Sequence, residues 1–228
     1  MIVTGNIARI IDNRDNLYDG NLRHYLMVMW GARNINGPYH NFRHMGHILY
    51  LCYDACLHYH KRNEEHHEPE EHLSRRQIRN LLIGAMLHDF NHRNRIDGYD
   101  DLNIMLAIRG LTDCILPVDL PFLPDIVSII ESTEYPHKKI SSGLSLSAQI
   151  IRDADMSQAL DPAWIQQTIL GLAAEIGVTP LEVLKKQEKF LSRLVFTTRW
   201  AKNTWNERAI TDKINEAREL LAILTDQS

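Results

Sequence analysis

Proline and glycine are scarce in this chain, at 8 and 11 of 228 residues, and strand-like alternation of apolar and polar residues is nearly absent. Both features disfavour a sandwich or barrel of many short strands, whose turns draw on these two residues. Only three cysteines occur, Cys52, Cys56 and Cys114, with no CxxC pair among them. A disulfide-framed secreted scaffold is thereby excluded, and core thiols in a reducing compartment are expected. No run approaches the ~18 apolar residues of a membrane span. The opening stretch, MIVTGNIARIIDNRDN, lacks the basic start and long apolar run of a signal peptide. The expected location is the cytoplasm, with no membrane partner. Positive charge is not in excess either. The formal net charge is −4 with histidine neutral, which argues against an extended nucleic-acid surface. Cations for a phosphate-bearing ligand therefore have to be local.

What is present reads as helix. Residues 17 to 33 look helical up to the Gly37-Pro38 break. Residues 41 to 62 carry apolar Met45, Ile48, Leu49, Cys52, Cys56 and Tyr59, a 3.6-residue pattern. NEEHHEPEEH, 63 to 72, reads as a polar loop inserted on the domain. Ser74 is a candidate N-cap for a helix to about residue 89. Further helices are predicted over about 100 to 112, along DIVSIIESTEY as far as Pro136, and along SLSAQIIRDADMSQAL. Asp161-Pro162 and Thr179-Pro180 each supply an N-cap followed by proline at the first helical position, and Gly177 ends the helix between them. Long helices follow to the end. No repeat or composition shift marks a boundary, so residues 1–228 are read as one all-α domain. Its core motifs fall at about 38–160 and its C-terminal helices at about 161–228. Those last helices are long enough to offer a dimer face, so a homo-oligomer is compatible with the sequence.

The chemistry concentrates in three places. LLIGAMLHDFNH, residues 81 to 92, is apolar until His88 and Asp89, with His92 following. A helix apolar all round is buried. Its last turn then carries a negative charge at the negative end of the helix dipole, which costs several kcal/mol unless paired, on the order of the usual buried-ion penalty. A divalent cation removes that cost; a buried His–Asp pair holding the core together is the plain alternative. His92 falls on the side of His88 if the helix extends. The second place is PYHNFRHMGH, residues 38 to 47. His40, His44 and His47 are spaced i, i+4, i+7, one face of a helix, and neutral imidazole ligates divalent metals. His58, His60, His66, His67 and His72 read as a solvated face. The third is IIRDADMSQ, where Asp153 and Asp155 lie about 200° apart around a helix axis. Only one of them can face a given site, and the apolar pattern does not choose.

Taken together, H40-x3-H44, H88-D89-x2-H92 and A154-D155 resemble the HD-domain superfamily of metal-dependent phosphohydrolases. The resemblance implies an all-helical HD-domain bundle and a divalent metal, one ion or two, on His44, His88, Asp89 and Asp155. The Ala-Asp context of the family's last ligand selects Asp155 over Asp153. PYHNFRH, HDFNH and ADMS also look like motifs of cyclic-nucleotide phosphodiesterases, in which the histidine at the place of His40 is the general acid. Asp97 stands where that pattern has asparagine, and the chain is short for such a catalytic domain. A group of small bacterial HD phosphohydrolases, with YHNxxHI where this chain has YHNFRHM, is similar over roughly residues 20 to 210, also through IIESTEYPH, DADMS and KFLSRLVFTTRWAKNTWNERA, and weighs more heavily.

The implied function is hydrolysis of a phosphoester or phosphoanhydride bond in a small phosphorylated substrate, a nucleotide above all, by a metal-activated water. His40 and His92 are the catalytic candidates, and His92 has the alternative role of orienting a water. Arg43 and Arg93 are candidate phosphate contacts, with Arg95, Lys138 and Lys139 as further local cations. Glu131, Glu134 and His137 are conditional candidates for a second metal or its surroundings. Trp30, Trp200 and Trp205 read as core aromatics before base-stacking ones. Mixed nitrogen and oxygen ligands fit Mn, Fe, Co, Ni or Zn, with Mg also considered. The alternatives are a cyclic-nucleotide phosphodiesterase and a non-catalytic nucleotide sensor.

Overall fold

A computed structural model describes residues 4–65, 72–93, 100–138 and 141–225. Among them every regular element is helical. The α-helices are α1 (Thr4–Ile11), α2 (Arg23–Trp30), α3 (Phe42–Glu65), α4 (Arg75–Leu87), α5 (Asp101–Cys114), α6 (Leu123–Glu131), α7 (Leu146–Met156), α8 (Leu172–Ile176), α9 (Pro180–Leu191), α10 (Arg199–Thr204) and α11 (Glu207–Thr225). No single helix among the described residues is long and apolar enough to cross a membrane.

Helix α4 is the axle of the bundle. Ser74 caps it in a reciprocal box with Gln77, so two otherwise unpaired N–H groups are satisfied. Every residue from Ile78 to Leu87 is buried, as its apolar sequence predicts. It packs against α2, α3, α6 and α7. Helix α3 presents Met45, Ile48, Leu49, Cys52, Cys56 and Tyr59 to that core, and all six are buried. Each large apolar side chain buried in this way contributes about 1.5–3 kcal/mol. Cys52, Cys56 and Cys114 are free thiols.

A smaller core stands beside the main one. It joins Trp164, Ile169, Ala173, Val183, Leu184 and Ala217, and so ties α8, α9 and α11 together. Helix α8 is entered through π-helical turns over Ile165–Gly171. Gly171 lies so close to the chain ahead of α3 that a Cβ there would sit 2.8 Å from the Pro38 carbonyl oxygen. That close approach brings the second core's helices over the start of α3.

Several boundaries differ from the sequence expectation, each for a local reason. The helix expected over 17 to 33 is limited to α2. Asn13, Asn16 and Gly20 adopt left-handed φ of 51°, 56° and 74°, and Asn13 Oδ1 accepts from Leu17 N at 2.9 Å. The chain turns there with Leu17 and Tyr18 buried. Helix α6 stops at Glu131, short of Pro136, where the Ser132 and Thr133 hydroxyls donate to the carbonyls of Ile129 and Ile130 at 2.6 and 2.8 Å. Asp161 accepts from Ala163 N at 2.6 Å, but a turn follows it and the helix starts later than Pro162. Gly177 does end that segment, at φ 72°, and Thr179 does cap α9, boxed with Glu182. Helix α3 runs to Glu65, past the expected start of the loop at 63. Residues 66–71 of that loop, with His66 and His67, lie outside the described residues, as do Arg95, Asp97 and Lys139.

One buried charge had no signal in the sequence. Asp119 is fully buried between α2 and α4. It accepts from Arg79 Nε and Nη2 at 2.7 Å, Arg76 Nη1 at 2.7 Å and the Tyr25 hydroxyl at 2.8 Å. A carboxylate so paired is tolerated, and removing its partners would strand it.

Gly84 tests the packing around α4. A Cβ there would lie 2.7 Å from Ile129 Cγ2, a stiff β-branched neighbour. Overpacking of about 1–3 kcal/mol outweighs the helix-propensity gain of about 1 kcal/mol. Gly84→Ala is expected to lower the urea midpoint with little change in slope; an unchanged or raised midpoint would contradict the packing described.

Candidate metal centre

Three elements deliver four side chains to one point. His44 stands in the first turn of α3, which Asn41 Oδ1 caps by accepting from Arg43 N and His44 N at 2.9 and 3.1 Å. His88 is the C-cap of α4 and Asp89 follows it. Asp155 sits in the last turn of α7. His44 Nε2 lies 2.9 Å from Asp89 Oδ2, 3.2 Å from His88 Nε2 and 3.3 Å from Asp155 Oδ1. His88 Nε2 is 3.1 Å from Asp89 Oδ2. His88 Nδ1 bonds to the Ala85 carbonyl at 3.0 Å, which fixes the proton on Nδ1 and turns the Nε2 lone pair inward. Asp89 Oδ2 is buried and, despite those two short approaches, has no partner in hydrogen-bond geometry.

These distances also fit a bound cation. Two imidazole nitrogens and a carboxylate oxygen face one another at about 3 Å. Donors at about 2.1 Å from a divalent transition metal are separated by about 3.0–3.4 Å in octahedral or tetrahedral arrangement. Electrostatics agree. Burial opposes a charge on His44, but the carboxylates of Asp155 and Asp89 outweigh it and lift its pKa to about 10. Burial likewise opposes charge on His88, and Asp89 raises it. Against its own burial, Asp89 is held well below the usual carboxylate range by His88 and His40, and Asp155 is lowered by His44. The pocket thus demands positive charge, which either protons or a metal ion can supply. Asp153, the residue left open by spacing, turns away. It accepts from the amides and hydroxyls of Thr197 and Thr198, the closest being Thr198 Oγ1 at 2.7 Å.

The other histidines arrive differently from expectation. The triple at 40, 44 and 47 does not share a helical face, because α3 begins at Phe42. His47 instead faces Asp161 at 3.4 Å. His92 is not carried by an extension of α4: the chain turns at 88–91, with Asn91 at φ 62°, and His92 N bonds to Asp89 O at 3.0 Å. His40 and His92 nonetheless meet, their rings stacked 3.7 Å apart at 22°. Together with Asp89 they form a second group whose donor atoms lie within 4.8 Å of one another.

Glu175 organises this pair, and the sequence reading missed it. One carboxylate oxygen bonds to His40 Nδ1. The other accepts from Tyr39 N at 3.0 Å and His40 N at 2.9 Å. A lone glutamate inside the apolar run GLAAEIG was the available signal. Burial resists charging His40, but Asp89 and Glu175 raise its pKa above the ordinary value. His92 moves the other way, to about 4, through burial and the charge on His40. It is therefore neutral, with Nε2 taking a bond from Asn103 Nδ2 at 2.9 Å. Asn103 also donates to Asp100 Oδ1 at 3.0 Å, and burial raises Asp100 to about 6.

A cavity of about 350 Å³ opens over the His40–His92 pair and reaches Asp155, the one member of the four-residue cluster that lines it, and its size is within the range of small-molecule sites. His40, His92, Asp155 and Glu175 line its floor, and Leu172, Ile176 and Phe190 its apolar side. Two glutamines face it from buried positions. Gln158 has both amide atoms without a hydrogen-bond partner, and Gln187 has its Oε1 so. No sequence motif marked either. Arg43 and Arg93 are exposed, and neither lines the cavity. Trp200 is buried with Nε1 bonded to Asp54 at 2.9 Å. Trp205 stacks on Phe196, and Trp30 packs edge-on against Phe42 at the surface. Lys138 pairs with Glu134 at 2.5 Å. His137 Nδ1 bonds to the Glu134 carbonyl, and neither these two residues nor Glu131 joins a group with metal-ligand spacing among the described residues.

Neither a protein-family model nor a curated protein matches the chain.

The raised pKa of His44 has a signed consequence. In the metal-free protein its contribution to stability is fully present below the unfolded value near 6.5 and is lost as pH rises through about 10,. A bound metal competes with that proton. The melting temperature of metal-free protein is therefore expected to fall between pH 7 and 10, added Mn²⁺ or Zn²⁺ to restore it, and metal binding to release protons. Asp89→Asn should weaken metal binding by more than about 100-fold, beyond the usual effect of a second-layer partner. Proton-neutral binding, in calorimetry run in buffers of different ionisation enthalpy, would contradict the site.

Proposed function

We propose that the chain is a divalent-metal-dependent phosphohydrolase of the HD type, acting on a phosphoester or phosphoanhydride bond of a nucleotide or a related small phosphorylated substrate. The observation that carries this reading is the convergence of Asp89, His88 and Asp155 on His44 Nε2, at 2.9, 3.2 and 3.3 Å, with His88 Nε2 3.1 Å from Asp89 Oδ2. Two imidazoles and two carboxylates suit Mn, Fe, Co, Ni or Zn, with Mg the harder fit. When bound, such an ion lowers the pKa of a water and polarises a phosphoryl oxygen.

The chain's own residues supply the remainder. Glu175 holds His40 Nδ1, which leaves Nε2 as the nitrogen available to a substrate in the cavity. Against burial, Asp89 and Glu175 raise its pKa, which favours a proton there to be given to the leaving oxygen. Neutral His92 stacks beneath and fixes the plane of the ring. The apolar side of the cavity suits a planar base. The unpaired amide of Gln158 and the unpaired Oε1 of Gln187 offer a donor and acceptors to its edge, and stay costly until something bonds to them. His40 with its carboxylate brace also favours an enzyme over a nucleotide sensor, since binding alone does not require an oriented proton donor.

The decisive assay presents nucleoside mono-, di- and triphosphates and cyclic nucleotides with Mn, Co, Ni and Mg. Turnover of linear substrates is expected; exclusive turnover of cyclic ones would favour the phosphodiesterase reading, and tight binding without turnover the sensor. His40→Ala should lose about 10²–10⁴-fold in rate while retaining metal. Glu175→Gln removes one of the charges that raises the pKa of His40, so the high-pH limb of kcat should move to lower pH. An unmoved limb would deny Glu175 that role.

A further inference from the structure

A second cavity, of about 770 Å³, adjoins the first. Tyr135, Met156, Leu172, Ile176, Gln187 and Phe190 line both, so the two spaces share a wall. Beyond that wall the charge changes. Lys186, Lys189 and Arg193 follow one another at i, i+3 and i+7 along α9 and its exit, which places them on one side of the helix. All three line the second cavity and are exposed. None has an ion pair or side-chain hydrogen bond among the described residues. Of the acids of α9, Glu182 is held in the capping box, where Lys186 also acts on its charge, and Glu188 pairs with Arg218 at 2.6 Å. On the inner wall Arg152 is 5% exposed. Its Nε donates to the Ser132 carbonyl at 2.9 Å and Nη1 to Ser141 Oγ at 3.4 Å. His137 adds a buried Nε2 with no hydrogen-bond partner. The one carboxylate in the lining, Asp153, is occupied by Thr197 and Thr198. Four cations against one such acid is a local reversal in a chain of net charge −4.

We propose that this groove holds a second phosphoryl group of the substrate, separated by a nucleoside from the phosphorus that reacts at the metal centre. The base and sugar would lie along the shared wall of Gln187 and Phe190. The mobile ammonium groups and the guanidinium of Arg193 match phosphate oxygens. A phosphate on the far side of a nucleoside and the next phosphate of a dinucleotide share this chemistry.

This inference rests on the nucleotide reading, and the test separates the two. Binding is measured by calorimetry on Mn²⁺-loaded protein carrying His40→Ala, which suppresses turnover. The probes are adenosine 5′-monophosphate, adenosine 3′,5′-bisphosphate and the 5′-phosphorylated dinucleotide of adenosine. At least one two-phosphate probe should bind about tenfold more tightly than the monophosphate, and which one does identifies the source of the second phosphate. With Lys186→Ala, Lys189→Ala and Arg193→Ala added, that ratio should fall to within twofold of unity. A control replacing three exposed cations outside the groove, Lys185, Lys202 and Arg208, should preserve it. Equal affinity for all three probes in the parent protein overturns this inference and leaves the nucleotide reading standing. A ratio that survives the triple replacement also overturns it. Failure of every probe to bind overturns both.

Discussion

Two carboxylates, Asp89 and Asp155, are held in the interior within reach of the same imidazole edge, and everything around them answers that charge. His44 and His88 are pulled toward the protonated form, His40 follows, and His92 is driven neutral by the charge on its stacked neighbour. Without compensation such a pair would cost more than a buried Leu or two can return. The fold meets the cost by bringing imidazole nitrogens from α3 and α4 to the end of α7. The bundle is built so that these three helix ends coincide, and α4, buried on all sides, holds them in register.

Above this floor lies a separate layer. The 165–191 segment rests largely on its own small core and reaches the floor through Gly171 against Pro38 and Glu175 against His40. The titratable cluster and the wall above it thus come from different parts of the chain. The floor provides His44, His88, Asp89, Asp155 and the His40–His92 pair. The upper layer provides Glu175, which bonds to His40, the unpaired Oε1 of Gln187 and the cations of α9.

Legibility in the sequence follows the same division. The all-α class, the caps at Ser74 and Thr179 and the stop at Gly177 are local, and periodicity and capping rules found them. The His-Asp break in an otherwise apolar segment marked the floor. Spacing alone could not choose between Asp153 and Asp155, and the structure turns only the latter to His44. Where the reading went astray, tertiary contact had overridden local pattern. His40 precedes its helix, and His47 faces Asp161. Gln158, Gln187 and Asp119 were invisible for a related reason, and Glu175 showed only as a lone acid in the apolar run GLAAEIG. Each is one polar residue whose meaning depends on a partner far away in the chain.

That distance has a consequence for the order in which the protein is made. His40 and Glu175 are 135 residues apart, whereas His44, His88, Asp89 and Asp155 have all been synthesised once Asp155 has. A nascent chain therefore carries every member of the buried His–Asp cluster before it carries the carboxylate that bonds to His40. The two halves of the centre are completed at different moments in the birth of this molecule.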